Sequence, residues 1–297
     1  MRLLISIVLL VIAVPTYAGI RVITTTTDTA AITRAVGGDA VSVVSLTRGT
    51  RDPHFAEARP SMIRQAYQAD LLISIGAGME VGWLPALLQA SRNNAIQPGN
   101  PGYLDLSESV TLLGKPTGPV TRDMGDVHAE GNPHYWLDPN NGAVMAKAIA
   151  SRLMQLDPEN SNQYKIGAET FVSDLRQRIP VWQKQLAGLQ GKKAIAYHTS
   201  LLYLAHGFGF AIVDQVEPKP GIAPSPTHLQ ALVNRIKQEK IGFIIMEPYY
   251  EQRSSRWLTD KTNIKVVVIP QSVDSMDGVD SYIKLFDEIV SRLMRAQ

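Results

Sequence analysis

Three short segments of the chain each close on a histidine: Asp52-Pro53-His54, Asn132-Pro133-His134 and Ala194-Ile195-Ala196-Tyr197-His198. The sequence holds six histidines in all, so half of them stand where a loop or a strand end can present a ring. A neutral imidazole is the commonest protein ligand for a borderline-soft metal. Three imidazoles and one carboxylate suit Zn2+: the donors are mostly nitrogen, four ligands complete a tetrahedron, and one negative charge lowers the charge of the loaded site. Glu247, at the end of an apolar run, is the candidate carboxylate. Mn2+ prefers more oxygen and a higher coordination number. In the two Pro-His segments the proline fixes its own φ and restricts the residue before it, so the ring that follows has less freedom to lose on binding.

The remaining histidines read differently. His128, in Asp126-Val127-His128-Ala129-Glu130, reads as a solvated loop residue, with auxiliary metal capture as the alternative. His206 falls within a helix as a packed or surface residue, and His228 just inside another as a surface or capping residue. Asp138 precedes Pro139 and reads first as a helix cap, second as a group that orients a ligand.

Scattered ligands need a scaffold that gathers loops. Short β-branched runs alternate with amphipathic stretches: strands at 20–24, 41–46, 71–75, 193–197, 210–214, 241–246 and 265–269, and helices at 28–36, 60–69, from 139 onward and at 279–294. That alternation implies the α/β class with parallel βαβ units. In open parallel sheets, ligands bind beyond the carboxyl ends of the strands. His198 and Glu247 directly follow strands, His54 lies in a loop after one, and His134 stands just before a helix, so all four are expected to face one crevice. Residues 92–130 are rich in Gly, Pro, Asn, Ser and Thr and read as loop with short elements. Residues 159–189 are mostly polar and helical, with Pro180 expected to kink rather than end the helix. The expected organisation is a leader at 1–18, a lobe at 19–158, a linking helix at 159–189 that acts as a rigid strut, and a second lobe at 190–297.

Met1-Arg2 followed by the apolar run Leu3 to Val14 and by Pro15-Thr16-Tyr17-Ala18 has the form of a cleavable signal peptide. The sequence contains no cysteine, which removes disulfides, thiolate ligands and a lipid-bearing thiol. A soluble periplasmic protein is the expectation. Its formal charge is +2 with Arg2 and +1 without it, and no dense basic stripe suggests nucleic acid.

Taken in order, these segments resemble the zinc/manganese substrate-binding proteins of ABC importers. The resemblance rests on Asp52-Pro53-His54 with Arg59-Pro60-Ser61, on Ala69-Asp70-Leu71 leading to Gly76 and to Glu80-Val81-Gly82-Trp83-Leu84, on Asn132 to Pro139, on Tyr197-His198, on Glu217 to Pro226 and on Glu247-Pro248-Tyr249-Tyr250. It implies two lobes on a rigid helical backbone, and His54, His134 and His198 as ligands to a transported metal. Manganese-leaning members often carry a glutamate where this chain has His198, which favours Zn2+. Zinc members often carry a long His-rich loop, which here shrinks to 123–130 with His128 alone. Many members take a fourth ligand from an aspartate after the last strand. That position falls near Pro270, and Asp274 is the nearest carboxylate, out of register. Glu247 is therefore taken as the fourth ligand, with Asp274 or water as alternatives. The resemblance further implies a cognate permease in the inner membrane, a monomeric carrier and no enzymatic activity. Mn2+ or Fe2+ as cargo, or a metallochaperone or adhesin on the same fold, are the rivals. A zinc hydrolase ranks below them, because there is no HExxH pair and no two ligands share a helix.

Overall fold

A computed structural model describes residues 19–121, 124–125 and 127–296. The expected signal peptide lies outside these residues. Two four-stranded parallel sheets form the frame. The first contains β1 (Ile20–Thr24), β2 (Val41–Ser45), β3 (Leu71–Ser74) and β4 (Tyr103–Asp105), in the order β2-β1-β3-β4. The second contains β5 (Lys193–Ala196), β6 (Ala211–Gln215), β7 (Phe243–Met246) and β8 (Lys265–Val268), in the order β6-β5-β7-β8. Each order reverses direction once, between β1 and β3 and between β5 and β7. A crevice opens at such a switch, beyond the carboxyl ends of the strands.

The helices connecting the strands begin where local chemistry allows. α1 (Thr27–Gly37) is capped by the Thr26 hydroxyl, and α2 (Pro60–Gln68) has proline at its first position. α3 (Leu84–Ser91) follows the β3 turn. α4 (Pro139–Leu156) starts on Asp138, whose carboxylate accepts the Asn140 N–H at 2.9 Å. Asp138 is thus the helix cap, the first of the two readings the sequence allowed. In the second half lie α6 (Leu202–Phe208), α7 (Pro226–Glu239), α8 (Arg253–Thr262) and α9 (Tyr282–Met294).

α5 (Ser161–Gln185) runs unbroken through Pro180. It packs on α1 and α4 of the first half and on α9 of the second. Its buried residues Tyr164, Ala168, Phe171, Val172, Leu175 and Trp182 join one core that extends into both lobes. Gly167 sets its closest approach: a Cβ there would stand 2.2 Å from the Val36 carbonyl oxygen at the end of α1. At the other end Trp182 lies 5.3 Å from Phe286, ring to ring, and its indole N–H donates to Asp287 at 2.9 Å. Burial at both ends makes α5 a strut between the lobes.

Most observed boundaries fall within a few residues of those read from the sequence. β4 is one of the short elements within the stretch that reads as loop, and α3 and α8 are helices beyond those the sequence reading names. β4 is three residues long with Leu104 as its one buried side chain, too short for an alternation to register. α8 buries Ser255 and Leu258 and is otherwise polar or half-buried. Its place is set by contact with α7 and β8. Among the described residues no helix is long and apolar enough to cross a membrane.

Candidate metal centre

Asp52 and Asn132 act alike two residues before their histidines. The Asp52 Oδ1 accepts the His54 N–H at 3.0 Å and meets the ring Nδ1 at 2.6 Å. The Asn132 Oδ1 accepts the His134 N–H at 3.0 Å and meets that ring's Nδ1 at 3.0 Å. Each is an Asx turn whose single oxygen holds both backbone and ring. The sequence signal was present: Asp or Asn two residues ahead of the histidine, with a rigid proline between.

His198 leaves β5 and is held from farther away. Its Nδ1 lies 2.8 Å from Glu217 Oε2, in the loop after β6. A ring that gives Nδ1–H to a fixed oxygen keeps its lone pair on Nε2. In all three rings Nδ1 is engaged in this way, so Nε2 is the atom that could take a ligand; on His54 that atom faces His128 Nε2 at 3.2 Å. Such partners fix the tautomer and raise ligand basicity.

The three rings converge. Their centroids are separated by 5.1 Å (His54–His134), 5.6 Å (His134–His198) and 6.0 Å (His54–His198). Imidazoles on a tetrahedral ion with Zn–N of about 2.0–2.1 Å place their centroids ~5 Å apart. The first two separations are close to that spacing and the third is wider. Among the described residues no three His, Asp or Glu side chains already stand posed to hold one ion. The rings are therefore gathered with some adjustment left to make. All three histidines are buried.

The turn that carries His134 is wedged between the lobes. The Tyr135 hydroxyl donates to the Ile75 carbonyl at 2.5 Å, just past β3. The Trp136 indole donates to the Gln271 carbonyl at 2.9 Å, just past β8. His54 thus comes from the first lobe, His198 from the second, and His134 from a turn bonded to both.

Electrostatics separate the rings. Burial, reinforced by His54, His198 and His128, holds the His134 pKa well below the usual imidazole value. For His198 burial also opposes the charged form, but the bond to Glu217 and the charge of that carboxylate outweigh it, and its pKa is raised. Asp52 is likewise opposed by burial, yet its bonds to His54 leave its pKa lowered.

Glu247 is fully buried just past β7. Its Oε1 accepts from the Ser200 hydroxyl, and its Oε2 is buried without a hydrogen-bond partner among the described residues. Burial pushes its pKa up to about 7, against the opposing pull of Ser200 and His198. An orphaned carboxylate oxygen beside His198 is what a nearby cation would satisfy. Asp274 is exposed, with φ +62°, and bears electrostatically on Asp28. Among the described residues no hydrogen bond or ring contact joins it to His134 or His198.

His128 departs from the solvated-loop reading. Its ring is half-buried and stacks on His54 at 5.2 Å, with the two Nε2 atoms 3.2 Å apart. A cavity of about 210 Å3 beside it is lined by His128, Asn132, His198 and Pro220, among others. His206 is exposed, and His228 bonds the Gln215 carbonyl through its ring.

The family model for the periplasmic zinc-uptake complex component A (ZnuA) matches residues 22–296. The chain belongs to the ZnuA family. Among curated relatives, a manganese ABC transporter substrate-binding lipoprotein, PsaA of Streptococcus anginosus, is 23% identical over 252 residues, covering 83% of this chain and 78% of the relative. A metal ABC transporter substrate-binding lipoprotein, FimA of Streptococcus parasanguinis, is 26% identical over 254 residues, with the same coverage. Both are named as lipoproteins, whereas the sequence here contains no cysteine. Among solved structures, a zinc-bound ZnuA deletion mutant superposes with a TM-score of 0.78 at 24% identity, covering 94% of this chain and 98% of that one. That likeness shows the ZnuA fold of two lobes on a long helix. A ZnuA family member is a solute-binding protein and not an enzyme.

Proposed function

We propose that this chain is the exported binding component of a metal importer. It captures one divalent transition-metal ion, Zn2+ by preference, in the cleft between its lobes and delivers it to a membrane permease. The observation that carries this reading is the common arrangement of His54, His134 and His198: each Nδ1 is tied to a fixed oxygen, which leaves three Nε2 lone pairs for one cleft. Three nitrogen donors favour Zn2+ over Mn2+, which prefers oxygen. The manganese named for PsaA is therefore the second reading. Glu247, taken as the fourth ligand from the sequence, is retained as the buried carboxylate that offsets the charge of the ion.

The proposed organisation is a cleaved leader at 1–18, lobes at 19–158 and 190–297, and a strut at 159–189, acting as a monomer in the periplasm. Because the ligands come from both lobes, a small rotation of one lobe would loosen the site for delivery. Titration of the metal-stripped protein with Zn2+ and Mn2+ tests the reading. One tightly held Zn2+ per chain, lost in His134→Ala with the apo fold retained, is expected. Tighter Mn2+ than Zn2+ binding would overturn the metal assignment, and unchanged Zn2+ affinity in His134→Ala would overturn the site.

A further inference from the structure

His54 gives its Nδ1–H to Asp52, so its Nε2 presents a lone pair toward His128. The two Nε2 atoms lie 3.2 Å apart. Nitrogens about 2.0–2.1 Å from a tetrahedral ion are separated by ~3.3–3.4 Å. The pair therefore already has nearly the spacing of two ligands on one metal. Their centroid separation of 5.2 Å also falls among those of the three expected ligands.

The seat of His128 is built by the turn after β3. Gly78 has φ +80°, and a Cβ there would stand 2.9 Å from His128 Nδ1. Glycine thus does two things: it takes a left-handed conformation, and it leaves room for an imidazole. Neighbouring Ala77 is also left-handed, at φ +49°. Glu80 accepts the Ile75 and Gly76 N–H groups at 2.8 and 3.0 Å and so fixes the turn from beneath.

We infer that His128 is the fourth ligand of the cleft, seated by Gly78, and that it makes the site one of four imidazoles with a sharpened preference for Zn2+ over Mn2+. This inference rests on the metal-binding reading above and deepens it. A fourth nitrogen strengthens Zn2+ binding and does little for an ion that prefers oxygen. Glu247 then acts through its charge, without having to reach the ion.

Competition titrations with Zn2+ and Mn2+, and the visible spectrum of the Co2+-substituted protein, test it on the full chain. His128→Ala is expected to lose more than about tenfold in Zn2+ affinity while Mn2+ affinity holds, since one metal–imidazole bond is removed. The Co2+ band should shift as a nitrogen leaves the site. Gly78→Ala, which leaves the histidine in place but displaces its ring, should move both readouts the same way. His128→Asp should restore a ligand but lower the Zn2+/Mn2+ affinity ratio. If His128→Ala matches the parent in Zn2+ affinity and Co2+ spectrum, the two facing nitrogens merely share a proton and the inference falls alone. A parent that binds no metal would overturn both readings.

Discussion

Glu217 Oε2 lies 2.8 Å from His198 Nδ1 and also accepts the Gly221 N–H at 3.0 Å. One carboxylate oxygen thus fixes the ring of a proposed metal ligand and the bend of the proline-rich loop that supplies the carboxylate. Removing such a partner of a metal-bound histidine typically costs about 10–100-fold in affinity. Glu217→Ala is expected to fall in that range for Zn2+, measured by competition with a chelator. An unchanged affinity would mean that the ring is held by packing alone.

Glu247 should separate binding from stability. Its carboxylate is buried with one oxygen unbonded, which disfavours the ionised apo state. Glu247→Gln keeps the shape and the acceptor for Ser200 but removes the charge. The apo melting temperature should hold or rise, while Zn2+ affinity falls by about tenfold, less than for loss of a histidine. A fall in stability with affinity unchanged would confine Glu247 to packing.

Metal should stabilise the protein more at pH 8 than at pH 5.5. The ligands bind as neutral imidazoles, so protons compete with the ion. His198, whose pKa is raised, adds to that competition. At 100 times the dissociation constant, an ion adds about 2.7 kcal/mol by linkage, and the gain shrinks as acid weakens binding. Thermal melts with and without Zn2+ at the two pH values decide the matter. A larger shift at pH 5.5 would contradict histidine ligation.

Asp28 should shape the pH dependence of the apo protein. It is fully buried in the first turn of α1, and its Oδ1 accepts the Val273 N–H at 2.9 Å across the lobe interface. Burial lifts its pKa from 3.8 to about 7, despite the bonds from Val273 and Ser272. A carboxyl whose folded pKa lies above its unfolded one favours folding fully below the unfolded value. That contribution is lost as pH rises through the folded pKa near 7. Glu80, also lifted to about 7 by burial, works with the same sign. Asp28→Asn should therefore flatten part of the decline in stability between about pH 4 and 8, an effect on the order of a few kcal/mol. Urea melts across that range measure it. An unaltered pH profile would show that Asp28 titrates normally.

What could be read along the chain is what neighbours in sequence decide. The X-Pro-His turns are local: the oxygen that orders His54 or His134 is two residues away. The cap at Asp138 and the strand ends before His198 and Glu247 are local too, and the parallel strands then carry those two residues to their carboxyl ends. The three histidines turned out to be clustered rings. Glu247 is buried just past β7, with one carboxylate oxygen on Ser200 and the other unbonded among the described residues.

Tertiary structure alone decided the rest, because it depends on residues that folding brings together. Glu217 reaches His198 across 19 positions, and His128 meets His54 across 74. Neither pairing leaves a periodicity or a spacing to detect. Gly78 shows the limit most plainly: its sequence context marks a turn, but the ring that fills the space of its missing Cβ arrives from a loop fifty residues later. A sequence lists which groups can bind a metal. Which of their nitrogens face one another is set by packing, which weighs contacts without regard to their separation along the chain.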